Sequence, residues 1–204
     1  MTTSSPTPPD LTTTLVVAVE IAKSRWLTAA HVPGLTAVKA RQQVEASGEA
    51  LAEAIARLTR RATTKGASVT RTVVCYEAGP TGFWLARFLR QRDVEVLVVQ
   101  PVSVPVDRRM RRAKTDAIDV DLLLRTCLAY LRGEPRVCSM VPIPDEADED
   151  ARQPGREREE LIAERVSITN RIGAILATLG VSGYDPLRRD RRERLKELRT
   201  PLGA

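Results

Sequence analysis

Aromatic side chains are scarce, with two Phe, two Trp and three Tyr among 204 residues. Surfaces that read unpaired bases by stacking need exposed rings, so the composition argues against a base-stacking platform of the small-barrel or RNA-binding-sheet kind. There is a single histidine, His31. That excludes a histidine-rich metal centre, and any Ser-His-Asp triad would have to use this one residue. Next to a β-rich stretch and the Pro33-Gly34 turn, His31 reads as structural. The three cysteines, Cys75, Cys127 and Cys138, show no C-x-x-C spacing. Neither a disulfide framework nor a zinc site is legible, which fits a reducing, cytoplasmic setting. No run approaches the ~18 consecutive apolar residues of a membrane span, and the N-terminus lacks the basic-then-apolar layout of an export signal. A membrane partner is not expected.

What is present suits a folded α/β protein. The apolar fraction of 43% can fill a core over most of the length, leaving room for one domain and an appendage. A net charge of +6 favours an anionic partner. Residues 1–14, rich in Ser, Thr and Pro, predict a disordered arm. Strands are expected at Leu15–Val19, Trp26–Val32, Thr72–Tyr76 and Val94–Val99, with Leu35–Val44 open between strand and helix. Helices are expected at Glu49–Arg61, Gly79–Arg92 and Thr115–Leu131. A meander followed by alternating helix and strand implies a mixed sheet flanked by helices over residues 15–133.

Residues 134–155 hold four prolines and an acidic block, and read as a linker. In 156–180, Leu161, Ile168 and Ile175 recur at sevens with Ile172 and Leu179 interleaved and Arg165 interrupting, the pattern of one arm of a coiled coil or helical hairpin and a pointer to a homo-oligomer. Residues 181–204 form a basic C-terminal segment.

Two chemistries of opposite sign adjoin near position 115. Arg108, Arg109, Arg111, Arg112 and Lys114 place five cations within seven positions, and Asp116 and Asp119 follow at once. Lys and Arg that replace counterions on phosphates gather nucleic acid. Aspartates at i, i+3 share a helix face and offer oxygen ligands to hard divalent cations. Glu20 and Glu77 each close a predicted strand, where the functional groups of such sheets collect. If the four acids converge, their repulsion calls for bound cations, and two Mg²⁺ ions about 3.5–4 Å apart serve phosphodiester chemistry. Each residue also has a plainer reading. The aspartates can complement a helix dipole, the glutamates can be solvated loop residues, and the cations can be an exposed loop.

Lys114-Thr-Asp-Ala-Ile-Asp119 behind its arginines resembles the K-T-D-x-I-D-A signature of DEDD transposases of the insertion sequence 110 family. Val19-Glu-Ile-Ala-Lys23 resembles that family's V-D-V-A-K segment, and Tyr76-Glu-Ala-Gly79 its E-A-x-G segment. Glu160–Arg165, Asn170–Ile172 and Tyr184–Arg194 extend the similarity to about residues 15–200. The resemblance implies a RuvC-like, RNase H-like fold followed by a helical coiled-coil segment. It also implies an Mg²⁺-binding tetrad matching Glu20, Glu77, Asp116 and Asp119, and recombination of an insertion element on DNA with a structured guide RNA. Two departures stand out. Glu20 occupies the place of the family's first Asp, and the family's C-terminal domain, which supplies a nucleophilic serine, has no counterpart in these residues. The expectation is a transposase N-terminal half, as a fragment, a truncated reading frame or a decayed copy, incomplete or inactive alone. The alternatives are a stand-alone RuvC-like nuclease or an inactive nucleic-acid-binding remnant.

Overall fold

The computed structural model describes residues 10–35, 41–79, 83–104, 116–201 and 203, with the backbone alone at 116 and 117. The basic run Arg108–Lys114 and most of the N-terminal arm lie outside the described residues. The chain divides into two compact units, Met1–Pro144 and Asp145–Ala204.

In the first unit, β1 (Thr14–Glu20), β2 (Arg25–His31) and β3 (Gln42–Glu45) form an antiparallel meander. Helix α1 (Gly48–Thr64) then carries the chain to β4 (Arg71–Glu77), which pairs parallel to β1. After α2 (Trp84–Arg90), β5 (Glu95–Val99) adds parallel to β4, and α3 (Asp116–Leu131) follows. The strand order is β3-β2-β1-β4-β5. The open stretch 35–44 thus ends in a short strand, and α2 starts at Trp84 rather than Gly79.

The apolar pattern dictates the layers. β1 is the central strand, and Leu15 to Val19 are buried on both faces, as a near-continuous apolar run predicts. Because strand side chains alternate, Leu15, Val17 and Val19 join Val74 and Tyr76 in a core covered by α1 and α2. Val16 and Ala18 join Val73 and Cys75 in a second core, closed by Val120, Leu123, Leu124, Cys127 and Leu131 of α3. Each fully buried Val or Leu contributes about 1.5–3 kcal/mol, so the two cores hold the helices to both faces.

Several local devices were not expected from sequence. Residues 10–14, assigned above to a disordered arm, are ordered. Thr12 donates to the Asp10 carboxylate, Thr14 Oγ1 donates to the Asp10 carbonyl at 2.8 Å, and His31 Nε2 lies 3.0 Å from the Leu11 carbonyl oxygen. The structural reading of His31 has its contact there. Residues 139–141, within the expected linker, pair onto the edge of β5 through Gln100 N–H to the Ser139 carbonyl and Val141 N–H to the Val98 carbonyl. Cys75 and Cys127 are fully buried free thiols, and Cys138 packs at their margin. Burial pushes the Cys75 thiol well above the usual range, with the neighbouring Cys127 adding to the shift.

In the second unit, α4 (Glu146–Thr178) takes in most of the acidic block. Asp145 caps it by accepting from the Asp148 N–H at 2.7 Å, and Glu146, Asp148 and Glu149 sit where the helix dipole favours negative charge. Pro154 lies inside this helix. A short helix, α5 (Arg191–Glu197), follows, and Tyr184 donates its hydroxyl to the Arg191 carbonyl. Among the described residues no helix is long and apolar enough to cross a membrane.

Candidate functional site

Sheet register brings two of the four expected acids side by side. Val19 pairs with Tyr76 near the end of β1 and β4, so Glu20 and Glu77 come next on adjoining parallel strands, about 4.8 Å apart in the pairing direction. Alternation from Val16 and Ala18, and from Val73 and Cys75, turns both toward the face that α3 covers. Glu20 is also in register with Leu27, which packs in that same second core. Both glutamates are half-buried at the carboxyl ends of parallel strands, the position where ligands gather in such sheets.

The two aspartates belong to the start of α3. Asp116 is its first residue, and Asp119, half-buried, completes the first turn. Four residues on, Leu123 is fully committed to the second core, so Asp119 lies on the sheet-facing side of the helix. The side chain of Asp116 is outside the described residues, as are Arg108, Arg109, Arg111, Arg112 and Lys114. Among the described residues no three His, Cys, Asp or Glu side chains are close enough together to hold a metal ion. The described acids thus stop short of a three-carboxylate cluster: Glu20 and Glu77 adjoin in register, and Asp119 lies on the neighbouring helix. All-oxygen donors of this kind suit Mg²⁺ or Ca²⁺ and not a thiophilic metal.

A third acid on α3 is the one that sequence reasoning missed. Asp121 is only 3% exposed and is gripped by Arg41, whose Nε donates to Oδ1 at 3.0 Å and whose Nη2 donates to Oδ2. Pairing with Asp121 holds the Arg41 guanidinium above its usual range. Arg41 immediately precedes Gln42, which is in register with Thr28 and through it with Val19. The clasp thus fixes the first turns of α3 two residues along the sheet from the row holding Glu20. No local pattern announces a pair separated by eighty positions. The one available hint was a third acid, Asp121, on a helix otherwise rich in Leu.

A mixed five-stranded sheet flanked by helices, with acids at the carboxyl ends of adjacent parallel strands, is consistent with an RNase H-like domain. The family profile described as the transposase DEDD domain of insertion sequence 110 matches residues 17–180. Two similar proteins come from Sinorhizobium fredii (strain NBRC 101917 / NGR234). One, named "Putative transposase y4rJ", is 46% identical over 190 residues, covering 93% of this chain and 48% of that protein. The other, named "Putative transposase y4qE", is 35% identical over 118 residues, covering 57% of this chain and 26% of that protein. The chain belongs to the insertion sequence 110 family of transposases. It spans about half the length of the first of these curated relatives and about a quarter of the second.

Proposed function

We propose that the chain is the N-terminal, RuvC-like catalytic part of a DEDD transposase that acts on DNA with a structured guide RNA in the cytoplasm. The observation that carries this reading is the register of β1 and β4, which sets Glu20 beside Glu77 on the α3 face in a chain of this family. Glu20, Glu77, Asp116 and Asp119 would hold Mg²⁺. When bound, two such ions lower the pKa of a water and neutralise charge on a scissile phosphate. The protein's own part is to bind and to orient. The carboxylates fix the ion positions from two rigid strands and a core-anchored helix, and Arg108, Arg109, Arg111, Arg112 and Lys114 hold phosphates beside them. Glu20 carries one methylene more than Asp, a reach of about 1.5 Å. A displacement near 1 Å can lower a rate about a hundredfold while ion binding survives. That supports a chain which binds metal and nucleic acid better than it cleaves.

The phosphate role is tested by salt. Affinity for a duplex or a structured RNA falls steeply with added salt, and replacing Arg111, Arg112 and Lys114 with Ala flattens the log–log slope by about one unit for each phosphate left without its cation. A salt-independent affinity, or a slope unchanged in the variant, sinks this assignment.

A second part of the proposal concerns α4, which would pair with a second copy as a coiled coil through residues 156–180. Leu161, Ile168 and Ile175, spaced by seven, are 56%, 57% and 55% exposed, which is unusual for one regular apolar stripe. In equilibrium sedimentation the parent chain runs at a multiple of the chain mass, and the Ser triple variant at these three positions runs as monomer. A parent chain that stays monomeric at high concentration removes the seam from the proposal.

A further inference from the structure

The few aromatic residues are not scattered. Trp26, Phe83, Trp84 and Phe88, four of the chain's seven, belong to one corner of the first unit. Trp26 is 3% exposed, and its indole N–H donates to the Ala22 carbonyl at 3.1 Å, which fixes the ring. Trp84 leans on it with ring centres 6.1 Å apart, and Phe88 meets Trp84 edge-on at 6.4 Å. Phe88 is itself confined. A Cβ at Gly48 would come within 2.6 Å of its ring, so glycine there leaves the room that the ring fills. The Arg92 guanidinium covers Phe88 at 3.6 Å from the ring centre. Yet Trp84, the ring held by all this packing, is 42% exposed.

An indole so supported and still open offers a rigid flat face. The charges on its helix indicate which kind of partner suits it. Helix α2, Trp84–Arg90, carries Arg87 and Arg90 in its last turn and no acid in its first, and Arg92 follows. A protein partner would be expected to meet a broad apolar patch of several hundred Å². A single flat ring at the start of a helix whose last turn is basic instead matches the pairing of aromatic stack and cationic track by which proteins hold unpaired nucleotides. We infer that Trp84 is a stacking seat for an unpaired base of a single-stranded nucleic acid, with Arg90 and Arg92 on the adjoining phosphates. Trp26 neighbours Leu27, the register partner of Glu20, and its side chain points to the opposite face. The seat therefore lies at the same end of the sheet as the acids and on the other side of it. This rests on the nucleic-acid role proposed above. It also revises the compositional argument against base stacking: one well-supported ring can serve where many are lacking.

The experiment uses the full chain titrated with labelled oligo(dT), oligo(U) and a blunt duplex. Trp84→Ala weakens binding of the single strands by about tenfold and leaves the duplex affinity within about twofold. The oligo(dT) and oligo(U) arms tell whether the strand is DNA or RNA. Trp84→Phe keeps a ring at the seat and leaves Trp26 as the one tryptophan, so it should bind while losing the fluorescence quenching that single strands cause in the parent. A parent that binds strands without quenching, or a Trp84→Ala chain that binds them as tightly as the parent, overturns the stacking seat and leaves the nucleic-acid role standing. A parent that binds no nucleic acid overturns both.

Discussion

Glutamine at positions 20 and 77 together removes the rise in melting temperature that Mg²⁺ gives the parent chain. An ion that binds only the folded state at a hundred times its dissociation constant stabilises by about 2.7 kcal/mol. For a unit of this size that corresponds to a rise of roughly 5–10 °C. The reason lies in the register. Glu20 and Glu77 follow Val19 and Tyr76 on strands whose other residues are locked in two cores, so the backbone holds the two carboxylates on one face of adjoining strands. Glutamine keeps the shape and loses the charge that a hard cation requires. Asp119→Asn should reduce the rise as well, because Asp119 is set on the sheet-facing side of α3. Glu20→Asp retains it, since the carboxylate stays. Calorimetry with EDTA and with Mg²⁺ decides the matter, and a double variant that responds to Mg²⁺ like its parent refutes the metal assignment.

The elements are readable in the sequence where one force dominates. The runs Leu15–Val19 and Thr72–Tyr76 are apolar enough to be central strands in any arrangement, and their closing glutamates follow from the same boundary. Spacing alone cannot show that the two strands are neighbours. That depends on α1 carrying the chain back beside β1, a long-range choice settled by which faces the helices bury. The acidic block at 145–150 misleads for a different reason. Its charge and the nearby prolines suggest a linker, whereas Asp145 with Asp148 three residues on is a helix-start signal, and acids in the first turn are stabilised by the dipole. Pro154 ordinarily breaks a helix by removing one N–H donor, so composition weighs against the element that forms. The exposed Trp84 is illegible because exposure is set by tertiary packing, and a count of aromatic residues carries no information about where they meet.

The Arg41–Asp121 clasp gives the second large effect, and its two halves are unequal. Asp121 is buried, while the Arg41 side chain is 43% exposed. Removing the arginine takes its cationic partner from a carboxylate in a poorly hydrated place, which costs more than leaving an arginine that can turn to water. Arg41→Met, which keeps the apolar stem, should lower the melting temperature by several degrees, and Asp121→Asn by clearly less. Combining them should recover part of the loss, because the amide no longer needs the charge that methionine cannot supply. The clasp also fixes the first turns of α3 relative to the strand row that ends in Glu20. Arg41→Met should therefore shrink the Mg²⁺-dependent rise even when measured well below its lowered melting point, for instance by ion titration at constant temperature. Asp121→Asn retains most of that response, since an asparagine can still accept from Arg41. Equal losses of stability in the two single variants, or a full ion response in Arg41→Met, would show that α3 is positioned by its apolar face alone.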